Sequence, residues 1–168
     1  MIKFRPIEKE ALQILKKWRN SDNIMSFVRE YRYLNDSDQE RWFESYLTSR
    51  RRTDFDHEIL IILNNNGMIG VGGFTRIEWK NRKAELTLYF WKRDVVWYWQ
   101  QVIKSLLDKG FNEFGFHKIT WPVYSHDPNL ELYKTLFDVE AVLKEEYWYN
   151  GWQDRIYLSK LNPIILDK

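Results

Sequence analysis

Residues 84–116, AELTLYFWKRDVVWYWQQVIKSLLDKGFNEFGF, change their hydrophobic period part-way along, and that change constrains the fold more than any other feature of the chain. From Ala84 to Phe90 the apolar residues Ala84, Leu86, Leu88 and Phe90 alternate with Glu85, Thr87 and Tyr89, the two-residue repeat of a strand with unlike faces. Beyond it, Trp99, Val102, Ile103, Leu106, Leu107 and Gly110 fall on one helical stripe, opposite Gln100, Gln101, Lys104, Ser105 and Lys109. A strand that runs straight into a long amphipathic helix leaves the helix's first backbone N–H groups aimed beyond the strand end, where an anion can be held.

The rest of the chain supplies partners for that unit. Ile2–Pro6 reads as a short strand, and Glu8 to about Arg19 as a helix with Leu12, Leu15 and Trp18 on one side. Ser37-Asp38-Gln39-Glu40 has the form of a capping box, followed by Trp42, Phe43, Tyr46 and Leu47 as the buried face of a second helix. Arg50, Arg51 and Arg52 close that helix and are expected to complement its negative end from solvent. His57–Leu63 and Met68–Ile77 are strands joined through Asn64-Asn65-Asn66-Gly67, and Gly70, Gly72 and Gly73 lie within the second of them, as sites of bending or close backbone approach. Lys118–Tyr124 is a further strand, Pro128–Phe137 contains a short helix, and Val139–Tyr149 with Trp152–Leu161 form a hairpin about Asn150-Gly151. This order predicts an α/β chain: a mixed, mostly antiparallel sheet of about seven strands flanked by about four helices, one domain over residues 1–168.

Several chemistries are excluded at this stage. Without cysteine there are no disulfides, thiol nucleophiles or thiolate metal sites, and His57, His117 and His126 are too scattered to argue for a metal. Ser125-His126-Asp127 has the composition of a triad, but three consecutive residues in a turn point apart. A net charge of +2 is too mild to announce nucleic-acid binding, and no apolar run is long enough for a signal peptide or a membrane span, so a cytoplasmic location is expected. The chain has nine Trp, an excess that either fills a tight core or walls a pocket or interface.

With Trp18-Arg19-Asn20 ending the first helix, Met68-Ile69-Gly70-Val71-Gly72-Gly73-Phe74 in the third strand, Ala84-Glu85-Leu86 opening the fourth and LKEEYWYNGWQDRIYLSKL at the end, the chain resembles the GNAT N-acetyltransferase superfamily. It is most similar to the branch related to ribosomal-protein N-terminal acetyltransferases. The resemblance implies acetyl-CoA as donor, bound where the fourth strand splays from the fifth. The backbone of Leu88, Tyr89 and Phe90 would meet the pantetheine arm and supply the oxyanion donor if a bulge opens the strand, and Arg93, Val95, Val96 and Trp97 would meet the pyrophosphate. It also implies Glu85 as the base that takes the ammonium proton and Tyr133 as the acid that protonates the departing thiolate, with Asn129 in the helix-start pattern before it. For Glu85 an ion pair with a neighbouring Lys or Arg is the structural alternative, and for Tyr133 a packed aromatic.

The pattern is broken where the family is glycine-rich. Arg93-Asp94-Val95-Val96-Trp97 contains no glycine, which predicts a degenerate pyrophosphate loop, because branched side chains limit close backbone approach. Two readings therefore stand. The chain is an N-acyltransferase for a primary amine (a small molecule, a protein N-terminus or a modified base), or the fold has lost CoA and serves as a protein- or nucleic-acid-binding module or a base modifier with another donor. A homodimer through the Trp-rich hairpin fits either reading.

Overall fold

Seven of the apolar segments pair into one sheet. In the computed structural model, which describes residues 2–28, 32–91 and 96–163, these are β1 (Lys3–Pro6), β2 (Glu58–Asn64), β3 (Gly67–Glu78), β4 (Lys83–Phe90), β5 (Lys118–Tyr124), β6 (Asp138–Trp148) and β7 (Trp152–Leu161). Their order across the sheet is β1-β2-β3-β4-β5-β7-β6. Among the described residues only β4 and β5 run parallel, which requires a crossover, and the helical stripe provides it as α4 (Val96–Asp108). The other helices are α1 (Leu12–Arg19), α2 (Asp22–Met25), α3 (Asp36–Arg50) and α5 (Leu130–Lys134).

Alternation along β4 divides the molecule into two layers of core. Leu86, Leu88 and Phe90 pack with Val102, Ile103 and Leu106 of α4 and with Ile119, Trp121 and Tyr133. Each fully buried aliphatic side chain in this set stabilises the fold by about 1.5–3 kcal/mol. The opposite face, through Ile61, packs on Leu12, Leu15 and Trp18 of α1 and on Phe43 and Tyr46 of α3. Asn150 and Gly151 have φ of 51° and 124°, the two positive values that a tight β6–β7 turn requires. The glycines of β3 are close-approach positions: a Cβ on Gly73 would sit 2.0 Å from the Glu58 carbonyl oxygen, and one on Gly70 2.2 Å from that of Tyr89.

Two local expectations are corrected, and one short helix, α2, is added to those expected. The capping box of α3 is built by Asn35 and Asp38, not by Ser37 and Glu40: the Asp38 N–H donates to Asn35 Oδ1 and the Asn35 N–H to Asp38 Oδ2. The four residues of α2 are too few to show a period. Arg50 is not simply solvated. It pairs at 3.1 Å with Glu58, which is buried, and lies over the Tyr46 ring.

Burial pushes the Glu58 carboxyl above its ordinary range, and Arg50 opposes that only in part. A carboxyl held high in the folded state contributes stability that is complete at low pH and is lost as pH rises through the folded value. Denaturant unfolding over a pH series should therefore show the wild type losing stability relative to Glu58→Gln as the pH climbs out of the carboxylate range. A constant difference would remove Glu58 as the cause.

Candidate active site

The parallel ladder between β4 and β5 consists of three residue pairs, Lys83 with Lys118, Ala84 with Ile119 and Glu85 with Thr120. Beyond them β4 stays paired with β3 as far as Phe90, and β5 stays paired with β7 as far as Tyr124, so the two strands diverge without losing their outer partners. Pro122 stands two residues past the last pair. A proline has no N–H to give a ladder and is rare inside a central strand, so it marks where pairing stops. Pro122 is the sequence signal for this end of pairing, separate from the family motifs.

The divergence opens a cleft of about 130 Å³ lined by Glu85 to Phe90 of β4, Trp121 to Tyr124 of β5, and Trp99, Asn129 and Tyr133. This is less than the roughly 300–1,000 Å³ of pockets that enclose a whole small molecule, and it suits a slender arm laid between strand edges. Trp99 forms the wall on the α4 side, its ring centroid 4.5 Å from Phe90, 5.4 Å from Tyr133 and 6.4 Å from Trp121. Its side chain is buried, yet the Nε1 donor has no hydrogen-bond partner among the described residues. A buried N–H left unpaired costs about 1–3 kcal/mol, so a donor maintained in that state at a cleft wall points to an acceptor brought by a ligand.

A further part of the wall comes from α2 and the residues just after it, which the sequence did not single out. Ile24 and Phe27 line the cleft, Phe27 stacks on His126 at 4.8 Å, and His126 stacks in turn on Tyr149. His126 Nε2 lies 3.0 Å from the Ser26 carbonyl oxygen, and Tyr147 donates its hydroxyl proton to the Val28 carbonyl. The segment is thereby fastened to the β5 end and the hairpin. Ser125 is taken up by Gln153 and Asp154, and Asp127 accepts from the Asn129 N–H, so the Ser-His-Asp run does not converge.

Among the residues expected to do chemistry, Glu85, Leu88, Tyr89, Phe90, Asn129 and Tyr133 all line this one cleft. Tyr133 is fully buried, with its ring 4.3 Å from that of Trp121. Glu85 is held by Arg76 at 3.3 Å, so the ion pair weighed as its structural alternative is present while the residue also borders the cleft. Arg76 reaches it from an irregularity in β3 between Thr75 and Glu78, where its φ is 49°. The bulge on which an oxyanion donor at Leu88–Phe90 was made conditional does not form. β4 pairs regularly there with Gly72, Val71 and Gly70, and its backbone is exposed to the cleft by strand divergence instead. Arg93 and Val95 lie outside the described residues; Val96 and Trp97 open α4, and their side chains lie outside them too.

A family model described as the acetyltransferase (GNAT) domain matches residues 2–131. The chain belongs to this GNAT family. No curated protein sequence matches it. Its fold is that of solved GNAT enzymes. The spermidine N-acetyltransferase of Vibrio cholerae in complex with CoA and spermine superposes with a TM-score of 0.85 at 23% identity, over 96% of this chain and 95% of the other. A chimera of that enzyme with hSSAT gives 0.84 at 20% identity over 99% of both chains. A dodecameric form gives 0.79 at 20% identity over 99% of this chain and 96% of the other. These relatives are spermidine enzymes rather than the ribosomal-protein branch that the Trp-Arg-Asn motif resembles, and at such identity they establish the fold of this GNAT domain.

The donor the family implies can be tested against the part of the site described. Strand edges of β4 and β5 freed from each other, a narrow cleft between them, an unpaired buried donor at Trp99 and a tyrosine in the wall suit an acyl-pantetheine arm. Of the loop that would meet the pyrophosphate, residues 93–95 lie outside the described residues.

Proposed function

We propose that the protein is an N-acetyltransferase that uses acetyl-CoA to acetylate a primary amine. The observation that carries this reading is the divergence of β4 from β5 into a cleft on which Glu85, Tyr133 and the unpaired Trp99 donor all border. Acetyl-CoA, when bound, supplies an acyl group on a thioester whose C–S bond an amine nitrogen displaces. Glu85 accepts the proton that the ammonium must lose, directly or through a water, and Arg76 keeps that carboxylate oriented. Tyr133 gives its hydroxyl proton to the sulfur that leaves. The inner edge of β4 from Leu88 to Phe90 orients the arm, and the Phe90, Trp99 and Trp121 rings exclude water from it.

Calorimetric titration of the purified protein with acetyl-CoA is the first test, with a micromolar Kd, about −8 kcal/mol, as the expected result. No heat and no thermal stabilisation would overturn the reading and leave a GNAT fold that holds some other ligand. In the same titration Trp99→Phe should bind about five- to tenfold more weakly, the worth of one hydrogen bond. Its unliganded form should lose in thermal unfolding only what the smaller ring gives up in packing, because the removed N–H has no hydrogen-bond partner among the described residues. Early unfolding with unchanged affinity would assign Trp99 to packing alone.

A further inference from the structure

The two edges of the sheet are built differently. β1, at one end of the strand order, is four residues long and finishes at Pro6. β6, at the other end, runs for eleven residues without a proline, and ten of them are exposed. An edge strand turns the N–H and C=O groups of alternate residues away from its one partner, and a long, proline-free edge with apolar side chains is a template for another strand.

The exposed apolar residues gather at the same edge. Val139, Val142, Leu143 and Trp148 of β6, with Trp152 and Leu161 of β7, are six of the eight large hydrophobic residues exposed among those described. Trp148 and Trp152 meet edge to face at 5.4 Å beside the hairpin turn. Apolar surface concentrated in this way on one element marks an interaction site.

The middle of β6 is complementary to itself. Its ladder with β7 is regular from Ala141 to Leu143 and irregular on both sides, between Val139 and Ala141 and between Leu143 and Tyr147, where Glu145 has a φ of 54°. With one flanking residue at each end, the regular stretch reads Glu140-Ala141-Val142-Leu143-Lys144. Laid antiparallel against a second copy with Val142 on the two-fold axis, it sets Glu140 opposite Lys144, Ala141 opposite Leu143 and Val142 opposite Val142. Opposite charges and apolar pairs directly across an antiparallel ladder are the favourable cross-strand pairs, and an interface between identical copies requires such self-complementarity. With the axis on Leu143 instead, Glu140 would face Glu146, and with it on Ala141, Glu140 would face Val142. Within the chain Glu140 pairs with Lys118 and Lys144 with Asp154, but the Glu140 and Lys144 side chains are 41% and 78% exposed, which leaves room for a second partner.

Stable interfaces bury about 1,200 Å² or more, beyond what five paired residues offer, so the contact has to reach the ends of the strand. An antiparallel arrangement supplies this. It brings the Trp148–Trp152 end of one hairpin toward the other end of its copy, where Leu161 lies exposed two residues beyond Ser159, the partner of Asp138.

We propose that the protein is a homodimer in which β6 pairs antiparallel with β6 of a second copy about Val142, joining the two seven-stranded sheets into one. Light scattering after gel filtration should give twice the mass of one chain at micromolar concentration. The chain has no cysteine, so single introduced cysteines report the register. Under mild oxidation Val142→Cys should form a disulfide-linked dimer, because residues facing each other across an antiparallel pair stand about 4.5–5.5 Å apart at Cα. Val139→Cys, at a similarly exposed position but separated from its copy by about 20 Å, should not. Val142→Lys, which sets like charges against each other on the axis, should weaken dimerisation at least about tenfold, with circular dichroism checking that the chain is folded. Lys144→Glu should weaken it too, and combining Lys144→Glu with Glu140→Lys should restore it. A wild-type chain that is monomeric at tens of micromolar, a dimer that cross-links through Val139→Cys and not Val142→Cys, or a dimer indifferent to Val142→Lys would overturn the proposal. A monomer whose β6 amides are nonetheless protected from deuterium exchange would also overturn it, and would give the edge to residues 164–168 of the chain itself.

Discussion

Replacing Tyr133 by Phe is expected to lower kcat for amine acetylation by about 10²–10⁴-fold while leaving the affinity for acetyl-CoA within about twofold of wild type. The reasoning starts from position. Tyr133 is fully buried in the cleft wall, where its ring packs against Trp99 and Trp121, and Phe retains that ring. On the proposed mechanism the loss is of a weak acid at the place where a thiolate departs, and such a group acts only as charge develops on sulfur, so the loss should fall on kcat and not on KM. Stopped-flow or steady-state kinetics with the preferred amine, beside calorimetry with acetyl-CoA, separates the two parameters. A variant with wild-type kcat would reduce Tyr133 to packing. Equal loss of binding and turnover would make it a binding residue.

Gly73→Ala is expected to cost at least about 3 kcal/mol of folding stability, the upper part of the range for overpacked positions. The added Cβ would meet backbone, 2.0 Å from the Glu58 carbonyl oxygen and 3.1 Å from the Ile59 Cα, across the β2–β3 pair in which Ile59 faces Gly73. Backbone in a paired strand cannot turn aside as a side chain can, and retreat of β2 would carry Glu58 away from Arg50. For a domain of this size the change corresponds to a fall of roughly 6–12 °C in Tm. Gly72→Ala is the control. Its Cβ would meet the ends of the Leu88, Ile62 and Leu106 side chains, which can re-pack, so it should lose distinctly less. If the two variants unfold together, the backbone clash is not what keeps position 73 a glycine.

How far the structure could be read from the sequence depended on whether the information was local. The central strand and helix were legible because period is a local property, and β5 and β7 begin and end where their alternation does. The hairpin turn was legible because Asn150 and Gly151 tolerate the positive φ that they adopt. The start of α3 was misplaced by two residues because Ser37-x-x-Glu40 has the usual Ser-x-x-Glu form of a capping box, whereas the box that forms, Asn35-x-x-Asp38, departs from it. Glu85 and Tyr133 were found through the family resemblance, and the structure brings both to one cleft. Trp99 was legible as a member of the helical stripe but not as a cleft wall, since a buried side chain and one facing a narrow gap have the same period.

The short ladder between β4 and β5 makes the sheet two leaves bound by a spine of three residue pairs. On one leaf are β1 to β4 and on the other β5 to β7, and each keeps its own complete pairing. A book of this kind can flex about Lys83–Glu85 without tearing either page, and α4, which leads from one leaf to the other, lies across the opening as its cover. Flexing would let an arm enter a gap that is narrow at rest, after which the arm would serve as the missing rung between the leaves. Deuterium exchange should record this as slow labelling along the spine and faster labelling of the inner edges at 86–90 and 121–124, with the latter slowing when the gap is filled.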